Sequence, residues 1–497
     1  MPAAAELPSQ PPGASSRAVR AWRRWVVSAL VVVPCVWQPR LEAGDLASHT
    51  YNAWLALLIE AGQAKGLYLG RQWTNVVVDI LLSNLGALLG FAAAERIVAA
   101  GCVLIFFWGA LSLVRATTDR EPWTLAPAAA MAAYGWTFWM GLLNFYLSIG
   151  LAFWALARIW RGGRGNWLRA AALGALCGLA HPLGLLSLAG FGLYVTFARK
   201  TRGGARAGLA GAGLAALLAA HFYVIRFRTA YWDSEFFYRM NGTDQLILFG
   251  RRYEALAFSV LAFCLAAFLA GALQERRRGE HFASRLRTPL ELWLLLLAVP
   301  AAIPEAIFLP QYPVPVSLIV ARLTTVTAVL GLCVLGQVEP RWWHLAGLAA
   351  LAGLYFTWVY EDTLVLNGME AQAESLVSRL PYGRRVVGTI GAPFDSRITN
   401  IGHVVDRACV GRCFSYANYE PSSGQFRVHA APGSPIAAAS PYVAQMLDSG
   451  EHRVRPEDLP MTQIYQCGPE DLTKLCMRDL VAGERNGAVG YRPPKTY

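Results

Sequence analysis

The chain has 497 residues, of which 55% are hydrophobic and only 15% charged, against about 25% charged in an ordinary soluble domain. Lysine and arginine (44) outnumber aspartate and glutamate (32), a net charge of +12. These figures exclude a single soluble globule, a disordered or fibrous chain and a small disulfide-stapled protein, and they imply an all-α polytopic membrane domain followed by a soluble tail.

Residues 1–20 read as a disordered cytoplasmic N-terminus, and 21–360 as the membrane domain. The first predicted span is 22–38, behind Arg17, Arg20, Arg23 and Arg24. Residues 25–37 resemble a signal-peptide core, but no small-x-small cleavage site follows, and Trp37 and Arg40 read as an interface anchor. A retained helix is expected.

A long outer loop, 38–95, comes next. In GDLASHTYNAWLALLIEAG, Asp45, Ser48, His49 and Asn52 stand at i, i+3, i+4 and i+7, on one helical face. Trp54, Leu57, Leu58 and Ala61 take the other side, so an amphipathic surface helix is expected. Gln72, Asn75 and Asp79 repeat the i, i+3, i+7 spacing. An aspartate within VVVDILL is costly unless it faces protein, water or a partner. Asp45 suits both a helix N-cap and a proton acceptor. His49 is its potential partner or a solvated residue, and Asp79 a binding group or an organiser of the loop.

Further spans are predicted near 96–114, 124–140, 142–158, 170–181, 183–198, 207–225, 252–273, 290–308, 317–336 and 344–360, eleven with the first. A span needs about 20 apolar residues, so 170–181 and 183–198 are short, two helices meeting at His181-Pro182. Basic clusters (Arg17 to Arg24, Arg158 to Arg169, Arg199 to Arg206, Arg276 to Arg287) all fall inside if the N-terminus is inside and the tail outside. That parity requires Val76–Ala93 to lie along the membrane surface. Charge divided among loops excludes a nucleic-acid partner.

The second large outer loop, 226–251, opens with Arg226 and Arg228 and carries Tyr231, Trp232, Phe236, Phe237 and Tyr238, an aromatic belt or a sugar-stacking platform, with Asp233 and Glu235 among them. Arg322 lies inside SLIVARLTTV, where an unpaired guanidinium is expensive; Glu305 is a possible structural partner. The tail, 361–497, has short β-prone runs (Arg385–Ile390, Gln425–His429) and reads as a mixed α/β extracytoplasmic domain. It holds Cys409, Cys413, Cys467 and Cys476, for which disulfides are expected with three possible pairings. Their spacings fit no standard zinc pattern. The five cysteines of the membrane domain are expected to be packing residues.

This layout resembles the GT-C superfamily of membrane glycosyltransferases, which includes the protein O-mannosyltransferases and the bacterial aminoarabinose transferase. The resemblance covers roughly residues 20–360 and rests on the long outer loop with GDLASH at 44–49, on GLLNFYLSIGLAFWALA at 141–157, and on GLAHPLGLL at 178–186. The paired acidic motif of the family is spread here to Glu42 and Asp45. The resemblance implies a multi-pass protein of a bacterial inner membrane. It would move a sugar from a polyprenyl-phosphate donor to a hydroxyl of a glycan, lipid or protein acceptor on the outer face, among membrane lipids. Asp45 would be the general base. His49 and Asp79 would bind substrate. His181, Arg226, Arg228 and Arg322 would supply donors and positive charge to the leaving phosphate. No metal or other cofactor is called for. A transporter or lipid flippase is the alternative, but it would want inverted repeats and ionisable groups at mid-membrane, whereas the notable polar residues cluster near one face.

Overall fold

The structure is a computed structural model and describes residues 14–232, 240–278 and 281–487. Helix α1 (Ala14–Val32) begins inside the segment expected to be disordered, because ASSRAVRAWRRW is rich in helix formers. The segment expected to form the first outer loop, 38–95, contributes α2 (Leu46–Glu60), β1 (Leu67–Leu69) and α3 (Val77–Leu89). At 13 residues α3 is about 20 Å long, too short to cross a hydrocarbon core of about 30 Å. Gly90, at φ 83°, separates it from α4 (Phe91–Thr118).

The predicted span 124–140 is not one helix. A short 3₁₀ turn leads into α5 (Ala126–Ala133), the chain leaves helix at Tyr134-Gly135, and α6 (Trp136–Trp139) is a single turn. Then come α7 (Leu143–Arg161), α8 (Arg164–Ala180), α9 (Pro182–Ala198), α10 (Gly203–Phe227), β2 (Ala230–Tyr231), α11 (Gly250–Arg278), α12 (His281–Ala302), β3 (Ala306–Ile307), α13 (Ile319–Leu335) and α14 (Trp342–Val377). Within the described residues four helical stretches are long and apolar enough to cross a membrane: Phe91–Thr118, Leu143–Arg161, Gly203–Phe227 and Gly250–Arg276. The others are shorter, or carry charges such as Arg164 and Arg169 in α8 and Glu291 in α12. Packing is densest between α4 and α7, where Phe106 stacks on Tyr146 at 4.6 Å.

Helix α14 runs through residue 361, the expected start of the tail, to Val377, and its buried residues there include Leu366, Met369, Glu370 and Ala373. The tail then adds β4 (Arg385–Thr389), α15 (Val404–Cys409), β5 (Phe414–Ser415), α16 (Glu420–Ser423), β6 (Val428–Ala430), α17 (Pro441–Asp448), β7 (Met461–Gln466) and β8 (Leu475–Asp479). Its sheet has the order β5-β4-β7-β8, with β4 parallel to both neighbours and β8 antiparallel to β7. Disulfides join Cys409 to Cys413 and Cys467 to Cys476, the choice among three pairings that sequence leaves open. Strand β6 pairs with β1, which stitches the tail to the membrane domain.

Helix α2 is therefore not a surface helix. It is buried on nearly every side, because the tail covers its polar face: Ser48 Oγ donates to Glu420 Oε1 (2.6 Å) and Asn52 Nδ2 to Asn418 Oδ1 (3.1 Å). A second contact is ionic. Arg407 of α15 donates to Glu95 Oε1 (2.9 Å), Glu370 Oε2 (2.7 Å) and the Leu41 carbonyl (2.7 Å). Glu42 is buried beside this group. Burial, then the charge of Glu370, pushes its carboxyl well above the usual range.

The folded state thus holds a proton that the unfolded chain releases above about 4.5. Stability from this source is complete below that value and is lost as pH rises toward the elevated folded value. Glu42→Gln is expected to raise the unfolding midpoint in detergent by several degrees at pH 7 to 8, with the gain vanishing near pH 4.5. An equal gain at both pH values would show that the proton is not its origin.

Candidate functional site

Asp45 is positioned by two glycines. Its amide donates to the Met140 carbonyl (3.0 Å), and the two backbones meet so closely that a Cβ on Gly141 (φ +79°) would lie 2.5 Å from the Asp45 and Leu46 nitrogens. A Cβ on Gly44 would lie 2.7 Å from the Met140 carbonyl oxygen. Only glycine fits either place. Asp45 occupies the N-cap position of α2, yet its side chain makes no capping bond there. It faces instead a cavity of about 1400 Å³ between the membrane domain and the tail.

In that cavity Asp45 Oδ1 lies 3.4 Å from His403 Nε2, and His403 Nδ1 donates to Asp406 Oδ2 (2.7 Å). Asp406 is fixed in turn by Ser415 Oγ and by Asn418 Nδ2 (2.6 Å). Burial works to lower the basicity of His403, but the carboxylates of Asp406 and Asp45 override it and raise its pKa well above the ordinary value. Tyr419 packs its ring 6.0 Å from that of His403. Asp448, at the end of α17, lines the same cavity; burial lifts its pKa to about 6.

His181 and Arg322 meet in the same cavity. His181 caps α9, its Nδ1 accepting from the Leu183 amide (3.2 Å), so a neutral ring carries its proton on Nε2. That nitrogen lies 3.3 Å from Arg322 Nη1. Two donors therefore face each other with no acceptor of their own, and Arg322 Nε is buried without a hydrogen-bond partner. An anion placed between them would satisfy all three groups. Glu305, the alternative partner, makes no bridge to the guanidinium; its carboxylate caps α13, accepting from the Val320 and Ala321 amides (3.2 and 3.3 Å). The cavity lining also includes the apolar side chains of Leu183, Leu185, Leu186, Leu309, Val314 and Leu318.

His49 also lines the cavity, but its partner is not Asp45. Its Nδ1 donates to Asp79 Oδ1 (2.9 Å) and lies 3.7 Å from Glu420 Oε1. Burial opposes a charged ring here, and Asp79 and Glu420 outweigh it, bringing the pKa up to about 10. For Asp79 the same contact outweighs burial and lowers its pKa. Asn144 holds this aspartate, donating to Oδ2 (2.9 Å) and accepting from the Val78 amide (2.9 Å). Gln72 and Asn75 line the cavity too, but not as one helical face with Asp79, because Asn75 has φ +59° and helix starts only at Val77.

Arg226 and Arg228 are not brought to the cavity. They end α10, a helix with almost no buried face, and rest on the rings of Phe227 and Tyr223. Asp233, Glu235, Phe236, Phe237 and Tyr238 lie outside the described residues. Sequence reasoning missed the tail's share of the site: His403, Asp406, Tyr419, Glu420 and Asp448. The only local signal was HVVD at 403–406, an i, i+3 pair.

In comparison with known proteins, no family model, no curated protein and no solved structure matches the chain.

Proposed function

We propose that this protein is a membrane glycosyltransferase of GT-C type, with about eleven spans in a bacterial inner membrane and its tail on the extracytoplasmic side. It transfers a sugar from a polyprenyl-phosphate donor to the hydroxyl of a glycan, lipid or protein acceptor. The observation that carries this reading is the single cavity that joins Asp45 to the His181–Arg322 donor pair and to an apolar lining. The apolar lining suits a prenyl chain, the donor pair a phosphate, and the carboxylate an attacking hydroxyl.

In this scheme Asp45 takes the proton of the acceptor hydroxyl as its oxygen bonds to the anomeric carbon, and the bond from that carbon to the phosphate oxygen breaks. The leaving phosphate keeps the electron pair, stabilised by Arg322 and the Nε2–H of His181. His403, held by Asp406, orients Asp45 without touching the substrate. His49 and Asp79 border the acceptor side. Arg226 and Arg228 carry no part of the proposal, since neither reaches the cavity.

The test is reconstitution with a polyprenyl-phosphate sugar and a defined acceptor. Sugar transfer is expected, and solute counterflow without transfer would overturn the reading. A second measurement addresses the phosphate subsite. Arg322→Ala is expected to weaken binding of a polyprenyl-phosphate analogue by about 10- to 100-fold, the loss of a charge-assisted hydrogen bond. Binding of the uncharged prenyl alcohol should stay unchanged. Equal losses for both ligands would place Arg322 in the architecture of the cavity rather than at the phosphate.

A further inference from the structure

We propose that His49, Asp79 and Glu420 form a binding site for one divalent transition-metal ion of the Zn²⁺ or Mn²⁺ class, joining helices α2 and α3 to the tail. The proposal is independent of the transfer reaction. The three residues come from α2, α3 and α16, and their ligating atoms all lie within 4.8 Å of one another. Each is buried, at 5%, 6% and 1% exposure.

The spacing is that of a coordination shell. With metal bonds of about 2.1 Å, neighbouring ligand atoms stand about 3.0 Å apart in an octahedron and about 3.4 Å apart in a tetrahedron. The distances from His49 Nδ1 are 2.9 Å to Asp79 Oδ1 and 3.7 Å to Glu420 Oε1. The separation between the two carboxylate oxygens stays within 4.8 Å, so an ion would draw the three ligands together.

The surroundings are also those of a metal site. Ligating carboxylates are normally oriented by hydrogen bonds from behind. Asn144 Nδ2 holds the far oxygen of Asp79 (2.9 Å) in this way, while Ser48 Oγ donates to the Oε1 of Glu420 that faces His49 (2.6 Å). One turn along α2 from His49, Asn52 Oδ1 is a buried acceptor without a hydrogen-bond partner.

Charge points the same way. Among the described residues the ion pairs of Asp79 and Glu420 are with His49 alone, whereas another buried acidic pair, Glu95 and Glu370, has Arg407. With both carboxylates ionised, one imidazole does not balance them, and a divalent ion would neutralise the excess. Binding displaces the Nδ1 proton of His49, so one proton leaves as the ion enters. One imidazole nitrogen with two carboxylate oxygens favours Zn²⁺ or Mn²⁺ over Ca²⁺, which takes six to eight oxygens.

The full-length protein in detergent, purified without chelator, is expected to carry about one equivalent of Zn or Mn by elemental analysis. After chelation and dialysis, Mn²⁺ alone should bind, read by loss of the free-ion paramagnetic resonance signal, with Zn²⁺ competing. Glu420→Gln and His49→Gln should weaken Mn²⁺ binding more than about 100-fold, beyond the 10- to 100-fold typical of outer-shell changes, while His429→Ala leaves it unchanged. If the variants are poorly folded, the wild-type protein still decides: its unfolding midpoint should rise when Zn²⁺ or Mn²⁺ is restored. No bound metal with no rise on addition, or binding indifferent to both ligand substitutions in folded protein, would overturn the proposal.

Discussion

Replacing Asp45 by asparagine is expected to lower sugar transfer by about 10²- to 10⁴-fold, the usual contribution of a positioned general base. The substitution is nearly isosteric. It keeps the amide bond from residue 45 to the Met140 carbonyl and the glycine contact that seats it, so expression, monodispersity and unfolding midpoint should stay close to wild type. It also leaves the His181–Arg322 pair intact, and donor-analogue binding should change by no more than about twofold. The decisive comparison is turnover in vesicles against donor binding in the same preparation. Turnover retained at wild-type rates would remove Asp45 from the chemistry, and parallel losses in turnover and donor binding would make it a binding group.

Arg407→Ala should be the most damaging single substitution outside the cavity. The guanidinium is the one cation hydrogen-bonded to both Glu95 and Glu370 among the described residues, and all three are buried. Burial lowers the tendency of Arg407 to stay charged, but the surrounding carboxylates override it and raise its pKa. Deleting one partner of a buried ion pair costs about 3–5 kcal/mol, because the other is left uncompensated. The tail should then undock first, seen as faster limited proteolysis beyond Val377 and a lower unfolding midpoint. Adding Glu95→Gln and Glu370→Gln to Arg407→Ala should recover part of the loss. No recovery would assign the damage to lost packing rather than uncompensated charge.

Much of the architecture was legible from local pattern. The helix opening at GDLASH, the junction at His181-Pro182 and the strand near Arg385–Ile390 appear where periodicity and turn residues place them. The meeting of His181 with Arg322, 141 positions apart, was anticipated only through the resemblance, which assigned both to one leaving phosphate. Other expectations failed for identifiable reasons. Span 124–140 breaks at Tyr134-Gly135, and Gln72 and Asn75 precede their helix. The polar face of α2 looked solvated only because its cover lies in the tail, with Ser48 and Glu420 372 positions apart.

What the amino-acid sequence determined by itself is the class of protein, the helical spacing that puts Asp45, Ser48, His49 and Asn52 together, and the concentration of four cysteines in the tail. These follow from solvent transfer and from repeats of a few residues, both carried by adjacent positions. Tertiary structure alone decided that His403 reaches Asp45, that Asp79 rather than Asp45 pairs with His49, that Glu42 is shut away with Glu370, and that Arg226 and Arg228 stay outside. The places of His403 and Glu42 depend on how the tail docks, the others on how the helices pack, and both sum many weak contacts whose partners no short stretch of chain encodes.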